Sequence, residues 1–364
     1  MKKLTGFSLL CMMLCARVFA TLTFFPPHME NGLAYAIGTV LSTALQLLLI
    51  IPAVKLAELV PEGPCAAAMG ISKPLGVGVT ICFLIYFLYE AFFDAGSMAY
   101  FTDYFFSVNM PRVITALCCT LTAIGLARLE TAVIGRTAQA AFFGMAALLA
   151  VMAICSASEL DLTRLDMALE DPSQVIGKAI LSETERCECL VLFTFLAGRT
   201  ESSPWKTARR FLAAKGVLVG SIFLMVTAVL GAFALHSKLP VFTLATFSEN
   251  LITQRSDAVF LLVWVFMGIV KLGLLIHCAG ECLQILFPKL SGLDSSAAAG
   301  IIPCMAAMPL LLSYRWERIV YSEQGLTGVV LLSFLLPLLL LSIINKRSTL
   351  KGYINGDLRR QQPS

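Results

Sequence analysis

Residues 178–198 read KAILSETERCECLVLFTFLAG. Glu183, Glu185, Arg186 and Glu188 fall within six positions of an otherwise apolar run of membrane-spanning length. A continuous helix facing lipid does not tolerate four charges so close together. Such a segment survives inside a bilayer only when it is buried in protein or lines a cavity. Transporter folds put broken helices of this kind at the substrate site, where half-helix ends meet the charges of the ligand. The stretch therefore predicts an interrupted helix at the centre of a polytopic membrane protein.

The rest of the chain agrees. Of its 364 residues, 58% are apolar and only 14% are charged, and the mean hydropathy is +0.83. Soluble domains carry roughly 25% charge. This balance argues against a water-soluble enzyme, a disordered chain and a nucleic-acid-binding protein. The 12 cysteines lie mostly in apolar runs (Cys11, Cys15, Cys118, Cys119 and Cys278 among them). There they read as small buried side chains rather than a disulfide framework.

A bilayer core takes about 20 apolar residues per helix. Ten runs qualify: 4–25, 33–54, 75–100, 111–127, 133–155, 178–198, 211–235, 257–287, 296–313 and 326–345. The fourth and ninth are short, and the sixth is the interrupted one. The first resembles a secretory signal ending in Val18-Phe19-Ala20. Arg17 before that point, the apolar run beyond it and nine further spans favour a retained helix. Lys and Arg concentrate in the segments that share a side with the two ends, including Arg199, Lys206, Arg209, Arg210 and Lys215 between spans six and seven. The positive-inside rule then puts both termini in the cytoplasm and the acidic loop 156–178 outside. The chain reads as one polytopic domain, 1–364, with a tail at 346–364.

Ionisable residues inside spans cost roughly 2.5–3.5 kcal/mol each at a helix centre, so each needs a partner or a purpose. Span one carries Arg17, which either pairs with an acid to join two helices or meets a ligand carboxylate. Span three carries Glu90 and Asp94, four apart and so on one face; they fall near its outer end, where water access is expected. Lys271 lies near the middle of span eight. A buried lysine can carry a proton or stand in for a bound cation. His277 and Glu281, also four apart, approach the inner end and read as structural. Spans one and six occupy equivalent places if the ten spans form two halves of five, about 1–155 and 178–345. Five is odd, so such halves have opposite topology, which is the inverted-repeat condition. On this reading Arg17 is expected opposite Glu188, with Glu185 as the alternative partner. The candidate ligand-binding residues are Arg17, Glu90, Asp94, Glu185, Glu188 and Lys271. No Walker motif, HExxH or metal-spaced Cys/His set is present, and Cys187-x-Cys189 has no partner pair, so neither an enzyme nor a cofactor or metal site is expected.

Three stretches carry a resemblance. Leu59-Val60-Pro61 with Gly70-Ile71-Ser72-Lys73-Pro74-Leu75-Gly76 leads into span three. Ala127-Arg128-Leu129-Glu130 and Ile134-Gly135-Arg136-Thr137-Ala138-Gln139 join spans four and five. Trp264-Val265-Phe266, Lys271 and Leu283-Gln284-Ile285-Leu286-Phe287 mark span eight. Together with the span layout they resemble the endospore germination permeases, the B subunits of Ger-type germinant receptors, in the amino acid–polyamine–organocation superfamily. Where that superfamily has a Gly-x-Gly-type unwound centre in span one, this chain has Cys15-Ala16-Arg17-Val18. The resemblance implies a LeuT-like fold with a site between spans one, three, six and eight, and placement in the spore inner membrane. It also implies a complex with an A subunit bearing a large soluble domain and with a lipoprotein C subunit. The implied role is to sense a small nutrient such as an amino acid. A proton-coupled amino acid transporter is the alternative.

Overall fold

The computed structural model describes residues 4–23, 32–105, 111–165, 171–237, 239–247, 256–290, 292–312, 316 and 326–346. The charges expected at Lys2, Lys3, Lys238, Arg255, Arg315, Arg318 and the tail beyond 346 lie outside these residues. Among the described residues the fold is helical throughout, with no strand and a single isolated β-bridge, Leu4 to Thr200.

Among the described residues, eight helices are long and apolar enough to cross a membrane. They are α1 (Gly6–Thr23), α2 (Gly32–Leu59), α4 (Lys73–Phe105), α6 (Thr131–Cys155), α9 (Pro204–Leu230), α12 (Ser256–Leu286), α13 (Gly292–Leu312) and α14 (Leu326–Lys346). Two of the ten expected spans are shorter: α5 (Arg112–Ala127), and the sixth, which divides into α7 (Pro172–Glu185) and α8 (Cys189–Leu196). Short helices α3 (Pro64–Ile71), α10 (Phe233–His236) and α11 (Pro240–Phe247) complete the set.

Local chemistry sets several boundaries. Pro64, Pro172 and Pro204 open α3, α7 and α9, where a missing N–H costs nothing and φ is already helical. Asp171 caps α7 by accepting the Ser173 N–H at 3.0 Å. Gly231, at φ 54°, closes α9 in a conformation other residues avoid. Pro52 lies inside α2, Pro303 and Pro309 lie inside α13, and α14 widens to a π-turn at Leu331–Leu335.

The helix in the middle is α1. Fifteen of its residues are buried, from Ser8 to Thr23, and it packs against α6, α9, α12 and α8. The first apolar run is thus an internal element of the bundle. Around it, α12 touches α4, α5, α6 and α13, while α2 lies on α9 and α7. Small residues allow the closest approaches. A Cβ on Gly38 of α2 would sit 2.5 Å from Ala179 Cβ and 2.8 Å from the Ile176 carbonyl of α7. Large apolar side chains such as Leu48, Ile85, Leu121, Ile154 and Leu262 point outward, as lipid contact requires. All twelve cysteines are free. Cys15 and Cys189 donate to the Ala138 and Met13 carbonyls, each at 3.2 Å, which ties α1 to α6 and α8.

Candidate functional site at the helix break

The sixth span breaks where its charges are densest. α7 ends at Glu185, residues 186–188 form a turn, and α8 resumes at Cys189. The break lies deep: Glu183 is 1% exposed and Glu188 6%. Two charged clusters form, one on each side of it.

The first cluster joins α1, α7, α9 and α2. Arg17 Nη2 donates to Glu183 Oε2 at 2.6 Å. Lys215 Nζ lies 3.4 Å from the same oxygen and donates to Gln46 Oε1 at 3.0 Å and Ser42 Oγ at 3.3 Å. Gln46 Nε2 in turn donates to the Glu183 carbonyl at 3.0 Å. Arg17 and Lys215 are 1% and 0% exposed. Two cations therefore share one carboxylate. Arg17 Nε and Nη1 are buried with no hydrogen-bond partner among the described residues.

The second cluster joins α12, α4 and the start of α8. Lys271 Nζ donates to Asp94 Oδ1 at 2.8 Å. It also lies 2.9 Å from Glu188 Oε1, an ion pair without hydrogen-bond alignment. Glu90 is one turn before Asp94 on α4, on the same face, and is buried. Asp94 Oδ2 has no hydrogen-bond partner among the described residues. Lys271 Nζ is 5.5 Å from the centre of the Phe19 ring. That ring packs on Trp264 at 5.4 Å, and Trp264 Nε1 donates to Thr23 Oγ1 at 2.9 Å. One cation here faces three carboxylates, the reverse of the first cluster.

A third network sits at the far end of α8. Arg199 Nη1 donates to Glu281 Oε1 at 2.6 Å, and both side chains are about one-fifth exposed. His277 Nδ1 donates to the Ala127 carbonyl at 2.8 Å, while Nε2 meets Thr131 Oγ1 at 3.0 Å. These contacts hold α12, α5, α6 and the end of α8 together.

Several expectations change. Arg17 bonds Glu183, not Glu188, because the turn at 186–188 aims the two glutamates at different neighbours. Glu188 turns to Lys271 instead. Glu185 is the last residue of α7 and is half-buried; neither Arg17 nor Lys271 takes it as an ion-pair partner. Glu90 and Asp94 are buried rather than water-exposed, since α4 continues to Phe105 and α12 covers that face. By sequence Lys215 counts with the inner basic segment, although the run 211–235 contains it. It lies well within α9, which begins at Pro204. The chain itself carried that signal. Ala208, Phe211, Leu212, Val219 and Ile222 form one apolar helical face, and Lys215 falls on it. Span one is a continuous helix through Arg17, so it does not share the interruption of span six.

Neither a family model nor a curated protein matches this chain.

Proposed function

We propose that this chain is the membrane subunit of a spore germinant receptor, sensing a small nutrient such as an amino acid. The observation that supports this reading is the helix break flanked by clusters of opposite surplus charge. Arg17 has spare N–H donors on one side, and Asp94 has a spare carboxylate oxygen on the other. A zwitterion would complete both, its carboxylate toward Arg17 and its ammonium toward Asp94 and Glu90. Glu188 and Lys271 form the wall between the two ends, with Glu185 at the edge of the break.

In this reading α5 and the α7–α8 pair count as spans, giving ten and a five-plus-five inverted repeat. Arg17 and the break then fall on the first helix of each half. Both termini face the cytoplasm, the subunit sits in the spore inner membrane, and an A subunit and a lipoprotein C subunit complete the receptor. A proton-coupled amino acid transporter is the second reading. What favours it is Lys271, a buried cation held between two carboxylates that a proton or a substrate ammonium could reorganise.

The test is reconstitution of the purified chain in vesicles with labelled glycine and L-alanine. Saturable binding without uptake supports the sensor, and uptake that follows a proton gradient supports the transporter. Absence of both, alone and together with the two receptor partners, rejects the site. A cysteine placed at Ser173 should label from outside and one at Ser203 only after permeabilisation; the reverse pattern rejects the topology.

A further inference from the structure

We propose that the cluster of Arg17 and Lys215 is a site for one small monovalent anion, chloride or a carboxylate. Lys215 acts there by taking over Glu183 when the anion engages Arg17. The inference shares Arg17 with the receptor reading but does not need that reading to hold.

The argument starts from charge. Arg17, Lys215 and Glu183 come from α1, α9 and α7 and are each at most 1% exposed. Two cations and one carboxylate leave a surplus of one positive charge in a buried place, which is costly unless it is paired. Both cations also use the same oxygen, Oε2, at 2.6 Å and 3.4 Å. Glu188, the other buried carboxylate at the break, already lies 2.9 Å from Lys271. A group of charge −1 balances the cluster, whereas a dianion such as sulfate would overshoot it.

Donor geometry agrees. A guanidinium offers five N–H donors and cannot lose its charge. Arg17 satisfies Glu183 through Nη2 alone, leaving Nε and Nη1 buried and unpartnered. These are the donors a halide or small carboxylate would take.

Lys215 supplies the second half of the device. Its ammonium is fixed by Gln46 and Ser42 of α2 and stops just short of a bond to Glu183. Gln46 also holds the Glu183 backbone, so the frame keeps Lys215 and Glu183 in register. An anion at Arg17 weakens the hold of Arg17 on Glu183. Lys215 then serves as the counter-ion, and Arg17 can turn without stranding a buried carboxylate. Lys215 is thus a positioning residue, and the occupancy of Arg17 is felt by α2 and α9.

The full chain, purified in lipid nanodiscs, is melted in sodium chloride, sodium acetate and sodium gluconate at equal ionic strength. Chloride, acetate or both raise the melting midpoint saturably, and the larger gluconate does not. Chloride alone marks an inorganic occupant, and acetate alone a carboxylate. Lys215→Met raises the half-saturating concentration about tenfold or more, and Lys215→Arg restores it. Equal midpoints in all three salts overturn the inference, as does unchanged half-saturation in Lys215→Met. Where Lys215→Met yields no folded protein, Glu183→Gln carries the test. Freed of its competitor, Arg17 should bind the anion more tightly, and an equal or weaker affinity overturns the proposal. Glycine separates the two readings. A shift with acetate but none with glycine keeps the anion site and removes the nutrient. A shift with glycine but with neither anion does the opposite.

Discussion

The two clusters on either side of the 186–188 turn are built from the same residue types and differ in redundancy. On the α1–α9 side, Glu183 has two cations within 3.4 Å. On the α4–α12 side, among the described residues, Lys271 is the only cation within ion-pair distance of Asp94 and of Glu188. Removing a cation from the first cluster leaves a substitute in place; removing Lys271 leaves two buried carboxylates with none. Equal burial therefore does not mean equal consequence, and the difference can be measured.

The largest effect is expected for Lys271→Met. Breaking a buried pair by removing one partner costs about 3–5 kcal/mol, and here one substitution breaks two. The folded yield of the purified chain should collapse, and Asp94→Asn in the same background should recover part of it. Arg17→Met should be milder, about 1–3 kcal/mol, because Lys215 remains beside Glu183. Adding Lys215→Met to Arg17→Met should bring the loss up to the Lys271 level. Unfolding midpoints for the four variants decide the matter: equal losses for Arg17→Met and Lys271→Met would remove the distinction.

A steric change sharpens the same contrast on the α12 side alone. A Cβ on Gly268 would lie 2.7 Å from Met98 Cε and 2.7 Å from Phe19 Cε2. The end of Met98 can give way, whereas the Phe19 ring is packed against Trp264 and lies under Lys271. Gly268→Ala should cost about 1–3 kcal/mol, visible as a lower melting midpoint. Any ligand response through Lys271 should fall more than one through Arg17.

The smallest effect lies outside the charged core. Asp161 accepts the Thr163 hydroxyl at 2.6 Å and the Thr163 N–H at 3.0 Å, with Arg164 at 3.3 Å. The Thr163 hydroxyl, then its N–H, and then Arg164 hold the Asp161 carboxyl below its ordinary value. A depressed carboxyl stabilises the folded loop above the unfolded pKa of roughly 3.9, and that contribution is lost as pH falls through the folded value. Amide protection in 157–165, taken relative to the intrinsic exchange rate at each pH, should fall below about pH 4 and stay level above it. The clusters at the break should show no matching step, and a matching loss of protection in 183–188 over the same range would contradict their burial.

How much of this was legible follows from which signals are local. Apolar run length located eight membrane-length helices, and charge density located the break, because both are properties of adjacent residues. Lys271 was readable as deep because apolar residues flank it on both sides. Lys215 was missed because Lys206, Arg209 and Arg210 shortly before it made the stretch look like a basic loop. Only its spacing from Ala208, Phe211 and Val219 placed it inward. The partner of Arg17 was not legible at all. Glu183 and Glu188 are five apart, and which one faces α1 depends on how the turn at 186–188 rotates α8 against α7, a tertiary fact.

The isolated bridge between Leu4 and Thr200 carries a mechanical consequence. The Leu4 N–H donates to the Arg199 carbonyl at 3.1 Å, and the Glu201 N–H donates to the Leu4 carbonyl at 2.9 Å. Two backbone bonds thus rivet the lead into α1 to the exit from α8, while Cys189 of α8 clasps Met13 of α1 higher up. Fastened at two levels, the central helix and the second half of the broken one are mechanically coupled. A tilt of α8 about the 186–188 turn would pull on α1, and so on Arg17, as on the hand of a lever.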